Sequence, residues 1–368
     1  MFTRRDVFRA TAALGLGAAG VRSVAVTQAA SVPKSVSIFS LVQPLNNPWV
    51  INNARFQREV AEALGIHLQL TSDGGTDESN VAAMRAMIAA QPDGILYDPI
   101  SEAAGQECIR LIEENKLITV VQDRLAIPSI AGYKGEYLRA QVTEGGTDWG
   151  YRTMQNLAEA GAKKIVLIMP PHGILTNELM WKGAREYLQQ HPEIKLVEEA
   201  WVPHSRESAV EAMQRFLAKY TPGSDIDGVF AIGSIMGLGA LFAIERAGAK
   251  GQIKVITADD DPDVMAALKS GGLVSTLGGH WMVGGFGLIV LYDILNGHAP
   301  LDKQPVFHLI QVNAQTADAY QARFLWSKES PFSADELRSL SLTYNPAANL
   351  PGLMTNLWQT WSSKSRGL

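Results

Sequence analysis

Ser35-Val36-Ser37-Ile38-Phe39-Ser40-Leu41-Val42 is an apolar run of strand length, and it stops at Gln43-Pro44-Leu45-Asn46-Asn47-Pro48-Trp49. A helical stretch follows over 52–64, with Phe56, Val60 and Leu64 on one face. The alternation then repeats. Strands are expected over 67–72, 94–97 and 118–122, with helices over 78–90 and 101–115. It breaks over 127–140 and restarts, with helices over 146–160, 178–191, 207–219, 236–247, 262–269 and 283–295. The strands between them fall at 164–169, 195–200, 228–232, 254–258, 273–277 and 305–309. Repeated βα units imply parallel sheets covered on both faces by helices. Two such series in 368 residues imply an α/β protein of two similar doubly wound lobes.

The first thirty residues read as an export signal. Arg4, Arg5, Arg9 and Arg22 carry positive charge, and Asp6 is the only acid. A short Ala/Gly/Leu run over 10–21 is too short to span a bilayer, and Ala25, Ala29 and Ala30 suit a cleavage site. Thr3-Arg4-Arg5-Asp6-Val7-Phe8-Arg9 resembles the twin-arginine motif, with Val7 in place of the usual Phe. The alternative is a basic amphipathic helix on the mature protein. Loss of this segment removes four arginines and one aspartate, taking the formal net charge from −5 to −8. So acidic a chain has no reason to seek nucleic acid. The single cysteine, Cys108, cannot form an intramolecular disulfide and falls in a helical pattern as a small buried hydrophobe. The other long apolar segment, 231–247, is interrupted by glycines, Glu245 and Arg246.

Ligands of open parallel sheets bind beyond the carboxyl ends of the strands. Those ends carry Asn46-Asn47, Asp98-Pro99, Gln122-Asp123-Arg124, Pro170-Pro171-His172, Pro203-His204, Gly233-Ser234, Asp259-Asp260-Asp261 and Gly279-His280-Trp281. Asn47 can donate and accept hydrogen bonds, and Trp49 offers a broad face, a pairing suited to a small polyhydroxylated molecule. Asn-Pro is equally a turn signal.

Five motifs in order carry a family resemblance: Leu45-Asn46-Asn47-Pro48-Trp49, Asp93-Gly94-Ile95-Leu96, Val120-Val121-Gln122-Asp123-Arg124, Gly228-Val229-Phe230-Ala231 and Val255-Ile256-Thr257-Ala258-Asp259. Over about 35–312 the chain resembles the type I periplasmic sugar-binding proteins of ribose-binding type, which feed ABC transporters. The resemblance implies two lobes on a three-crossover hinge that close on one ligand without catalysis. On it, one lobe comprises 35–137 plus 279–312 and the other 138–278, leaving 313–368 as a C-terminal extension packed on a lobe.

The resemblance implies that Asn47 bonds ligand hydroxyls and that Trp49 stands where the family stacks a Phe. Asp123 and Arg124 match its Asp-Arg pair, though a helix-entry ion pair is the alternative. Asp259 matches the second lobe's acid. The run Asp259-Asp260-Asp261 also admits a hard-cation site or, before Pro262, an N-cap at Asp261. Four positions depart from the family and bear on specificity: Met180 with Trp181, His204, Gly233-Ser234, and Gly279 with His280 and Trp281. Trp181 could instead be core, His204 a turn residue, and the glycines around His280 a close backbone approach. The departures point away from ribose towards a sugar alcohol, a modified sugar or a similar polar molecule.

The expected partners are that ligand and the membrane subunits of an ABC importer, for a periplasmic monomer needing no cofactor and no metal. A sensor presenting its closed form to a membrane histidine kinase is the alternative. The chain has no Gly-x-Ser-x-Gly, no His-Glu-x-x-His and no paired cysteines, which speaks against an enzyme. It has no basic N-terminal helix-turn-helix of a repressor either. In the extension, Ser333-Ala334-Asp335-Glu336 reads as a capping box, and Trp326, Trp358 and Trp361 suggest burial against a lobe or a docking surface.

Overall fold

A computed structural model describes residues 33–46, 48–325 and 330–362. The expected signal segment and Asn47 lie outside the described residues, as does Trp326. The first series runs β1 (Ser37–Val42), α1 (Pro48–Leu64), β2 (His67–Ser72), α2 (Asp77–Ala89), β3 (Gly94–Tyr97), α3 (Glu102–Glu114), β4 (Thr119–Gln122) and β5 (Leu138–Val142). Its strands form one parallel sheet in the order β2-β1-β3-β4-β5. The second series runs α4 (Gly146–Glu159), β6 (Lys164–Met169), α5 (Leu175–Gln190), β7 (Lys195–Trp201), α6 (Arg206–Lys219) and β8 (Gly228–Ala231). It continues through α7 (Gly233–Arg246), β9 (Lys254–Ala258), α8 (Pro262–Lys269), β10 (Ser275–Gly278), α9 (Met282–Leu295) and β11 (Ile310–Val312). Its sheet is ordered β11-β10-β9-β8-β6-β7, parallel except for β11 against β10. The chain is thus α/β with two doubly wound parallel-sheet lobes.

The local causes are plain. Strands β3, β4 and β8 are buried throughout because helices cover both faces of their sheets; β3 and β8 are accordingly apolar runs, and β4 keeps Val120-Val121 between Thr119 and Gln122. Thr76 and Ser79 form a capping box before α2, and the Ser101 and Ser205 side chains cap α3 and α6. Cys108 is buried on α3, where its thiol lies 3.8 Å from Asn80 Oδ1.

The chain passes between the lobes three times. It leaves the first sheet through 143–145 into α4, which packs on α5, β8, β9 and β10. It returns through 279–281 into α9, which packs on α1, β3, β4 and β5. It leaves again through 296–309 into β11. The glycines of α9 let it approach α1: a Cβ on Gly284 would sit 2.3 Å from Asn53 Oδ1, and one on Gly285 2.2 Å from Phe56 Cδ1.

Two strands differ from the sequence reading. Leu138–Val142, which falls in the expected break and the expected second lobe, pairs with β4 in the first sheet. Its apolar signal is masked by Arg139 and by Gln141, whose buried amide serves the backbone of Ala126 and Ile127. The last strand is Ile310–Val312, in the second sheet, and not 305–309. Pro305 has no N–H to give to a ladder. Residues 303–307 instead run beside the end of β5, where the Gln141 N–H donates to Lys303 O (2.8 Å) and the Phe307 N–H to Thr143 O (2.7 Å).

The extension holds α10 (Ala317–Phe324), α11 (Ala334–Ser339) and α12 (Leu350–Ser362). The former packs on α8, in the second lobe, and α11 on α1, in the first. Ser333 and Glu336 form the expected capping box. Arg338 Nε donates to Ala63 O at 2.9 Å, and Asp293 of α9 accepts from the hydroxyls of Ser341 and Thr343 and the amides of Leu342 and Thr343. Among the described residues no helix is long and apolar enough to cross a membrane.

Candidate functional site

The carboxyl ends of the two sheets face each other across a cavity of about 150 Å³. That is smaller than the roughly 300–1,000 Å³ of pockets for drug-sized ligands, so it suits one small molecule. Trp49 enters from the first turn of α1, and Asp123 and Arg124 from the end of β4. Met180 enters from α5, His204 from beyond β7, Asp259 from the end of β9, and His280 from the second crossover.

His280 is the centre of the site. Its Nε2 lies 2.7 Å from Asp123 Oδ1 and 3.4 Å from Glu144 Oε1, and its Nδ1 lies 3.3 Å from Asp259 Oδ1. The ring stacks on Trp49 at 4.4 Å between centroids, and Trp149 meets it edge-on at 5.5 Å. One imidazole therefore joins the ends of β4 and β9 and both of the first two crossovers. Burial opposes charge on this ring, but the surrounding Glu144 and Asp123 carboxylates outweigh it and raise its pKa well above the usual histidine range.

Asp123 and Asp259 leave their strands in the left-handed region, at φ +63° and +71°. Aspartate tolerates that region better than most residues, and such backbone is held only where its surroundings fix it. Asp123 Oδ2 accepts from Gln43 Nε2 (3.1 Å), and that amide also reaches Asp98 Oδ2 (3.0 Å). Asp259 Oδ2 accepts from the Ser234 backbone N–H (3.1 Å). Burial works against the Asp259 carboxylate, yet the His280 hydrogen bond and charge hold its pKa below the ordinary value. Asp98 and Glu144 go the other way: burial and then, for Asp98, the neighbouring Asp123 charge push both pKa values well up. Burial lowers that of His204. Gly233, at φ +78°, lies beside this ring: a Cβ there would sit 2.9 Å from His204 Nε2.

The sequence-predicted residues separate into groups. Trp49, Asp123, Arg124, Met180, His204, Asp259 and His280 line the cavity together. Trp181 does not: its Nε1 donates to Glu199 Oε2 at 2.8 Å, away from the cavity, and Arg185 lies over its ring. Ser234 is buried behind the lining, where its amide serves Asp259 and the preceding Gly233 takes the lining position. Asn47 is outside the described residues. Arg124 is more than an ion pair with Asp123 (3.9 Å), because Nη1 also donates to Ile100 O at 2.8 Å. The acids after Asp259 turn elsewhere. Asp260 Oδ2 accepts from the Gly279 N–H, Trp281 Nε1 and the Tyr320 hydroxyl, and Asp261 is the N-cap residue of α8 without a side-chain cap bond.

Sequence reasoning missed Trp149, Thr176 and Asn177, which line the cavity from α4 and α5, and Glu144 behind His280. A strand-end search does not find residues on helices facing the cleft. Glu144 would have emerged had β5 been recognised, since it follows that strand by two residues. Among the described residues, Asp123, Glu144 and His280 also form a group whose ligand atoms lie within 4.8 Å of one another and so could hold a metal ion.

Residues 38–298 match the model of the periplasmic binding protein domain. The chain is 26% identical to the xylitol-binding protein of Mycolicibacterium smegmatis over 219 residues, 59% of this chain and 60% of that protein, under two thirds of its length. It is 22% identical to the ribose import binding protein of Salmonella typhimurium over 77% of this chain and 93% of that one. A solved ABC transporter solute-binding protein from Agrobacterium vitis, bound with α-D-tagatopyranose, superposes with a TM-score of 0.71 at 22% identity, covering 79% of this chain and 99% of that one. These relatives are binding proteins and not enzymes. With the family model spanning most of its length, the chain belongs to the periplasmic binding protein domain family.

Proposed function

We propose that this chain is the periplasmic solute-binding protein of an ABC importer and takes a small sugar, sugar alcohol or similar polar molecule in the interlobe cavity. The observation that carries the reading is the cavity: small, walled by Trp49 and Trp149, and lined by Asp123, Arg124, His204, Asp259 and His280. Aromatic faces suit C–H surfaces of a sugar, and the charged fork of Arg124 with the carboxylates suits hydroxyls. The xylitol- and ribose-binding relatives support the same ligand class. The ligand would touch both lobes, so that closing about the three crossovers is favoured when it is bound. The closed form is what the membrane subunits of the importer would read. Export through the twin-arginine route, with 1–30 removed, places it in the periplasm as a monomer.

The test is a thermal-shift and calorimetric panel of pentoses, hexoses, furanoses and polyols on the purified mature protein. One of them raises the melting midpoint and quenches tryptophan fluorescence, because Trp49 and Trp149 are in the cavity. A panel with no response, alongside a response to amino acids or peptides, overturns the reading.

A further inference from the structure

Behind His280, at the wall of the cavity, stands an acid without a hydrogen-bond partner. Glu144 is buried, with 0% of its side chain exposed, and neither carboxylate oxygen has a hydrogen-bond partner. A buried polar group in that state is costly and calls for a partner. Its Oε1 lies 3.4 Å from His280 Nε2, which in turn lies 2.7 Å from Asp123 Oδ1. Zinc bonds of about 2.0–2.2 Å to nitrogen and oxygen place tetrahedral donors roughly 3.3–3.6 Å apart. The His280–Glu144 edge has that length already, and the His280–Asp123 edge needs to open by about half an ångström.

We propose that Asp123, Glu144 and His280 form a binding site for one divalent transition-metal ion of the zinc type, with a fourth position open to the interlobe cavity. One imidazole and two carboxylates suit such an ion better than calcium or magnesium, which favour oxygen alone. Binding releases the protons held at His280 Nε2 and at the Glu144 carboxyl, and leaves a neutral imidazole and two carboxylates whose two negative charges a divalent cation cancels. Metal-bound histidines almost always give their other ring N–H to a carboxylate, a backbone carbonyl or a water. Here Asp259 Oδ1 stands 3.3 Å from Nδ1, so Nε2 is the nitrogen left for the ion. Trp49 and Trp149 pack against the ring and fix its plane. Because Asp123 and His280 both line the cavity, vicinal hydroxyls of a bound polyol could complete the coordination. That last clause rests on the sugar reading above; the metal site does not.

The experiment uses the full mature protein, stripped with a chelator and titrated with zinc chloride by calorimetry, with metal counted by mass spectrometry after gel filtration. One zinc binds per chain. Glu144→Gln and His280→Gln each weaken it by more than about 100-fold, and Asp259→Asn, which touches no metal, by about 10–100-fold. His172→Gln, at an exposed pair with Glu178, leaves the stoichiometry unchanged. Cobalt-loaded protein gives an independent readout: its visible absorption is lost in Glu144→Gln. Absence of stoichiometric zinc, or equal affinity in folded Glu144→Gln or His280→Gln, overturns the proposal. Xylitol and ribose are then titrated with and without zinc. Zinc uptake with no sugar response leaves the metal site standing and removes the sugar reading; a sugar response without zinc uptake does the reverse.

Discussion

The ends of β4 and β9 are built alike and charged differently. Each strand ends in a buried aspartate in the left-handed region, and each of these aspartates reaches one nitrogen of His280. Asp259 is met by neutral and cationic donors, the Ser234 amide and the imidazole, and its pKa falls against the pull of burial. Asp123 stands among acids, with Asp98 reached through the shared Gln43 amide and Glu144 behind the same ring. The second lobe meets its buried charge with the imidazole and a backbone amide. The first shares His280 with it and adds the Gln43 amide and, at 3.9 Å, the Arg124 guanidinium. Burial alone therefore does not set the state of Asp259; the donors around it hold its pKa down.

If His280 is the shared counter-ion, its loss should cost more than any other single change at the site. In metal-free protein, His280→Ala leaves Asp123 and Asp259 buried without their cation. Removing one partner of a buried ion pair costs about 3–5 kcal/mol. A fall of that size in the urea unfolding free energy is expected, with Trp49 also losing the ring stacked on it. A loss under about 1 kcal/mol, as for an exposed pair, would show that the acids are not held by this ring.

The asymmetry between the lobes gives a second, smaller contrast. Asp259→Asn removes a charge that the site stabilises, and a cost of about 1.5–3 kcal/mol is expected for a hydrogen bond involving charged groups. Asp98→Asn removes a carboxyl whose pKa is already pushed up, and the amide oxygen can still accept from Gln43. Its effect on the same unfolding curve should stay within about 1 kcal/mol. Equal costs for the two would erase the difference between the strand ends.

The sequence carries these strand ends unequally. The βα alternation is legible because buried parallel strands are written as apolar runs, and strands 94–97, 164–169 and 254–258 fall where that pattern puts them. β5 is hidden because an edge strand carries Arg139 and spends Gln141 on a neighbouring turn. Asp123, Arg124, Asp259 and His280 are legible as polar residues ending strands. Trp149 is not, since on α4 it looks like any aromatic on a helix face, and its turn towards the cleft depends on the tertiary packing of α4 against the second sheet. Trp181 shows the converse: next to Met180 in sequence, it points to β7 and Glu199 because neighbouring helix positions are about 100° apart.

The two strand ends part company one residue beyond each aspartate. Asp123 is followed by Arg124, a cation, whereas Asp259 is followed by Asp260 and Asp261. Asp260 is satisfied by Gly279, Trp281 and Tyr320. Asp261 has no cap bond to the α8 amides, and burial with the Asp259 charge pushes its pKa from 3.8 up to about 7. A raised carboxyl pKa means that the folded state keeps a proton which the unfolded chain has released. Stability from this group is therefore fully present below about pH 4 and is lost as the pH rises through about 7. Asp261→Asn imitates the protonated carboxyl at every pH. The variant and the parent should unfold at the same urea concentration at pH 4, and the variant should be more stable by about 1–2 kcal/mol at pH 8, a figure reduced for the partial exposure of the side chain. Parallel pH profiles for the two proteins would mean that Asp261 ionises as freely as a surface acid.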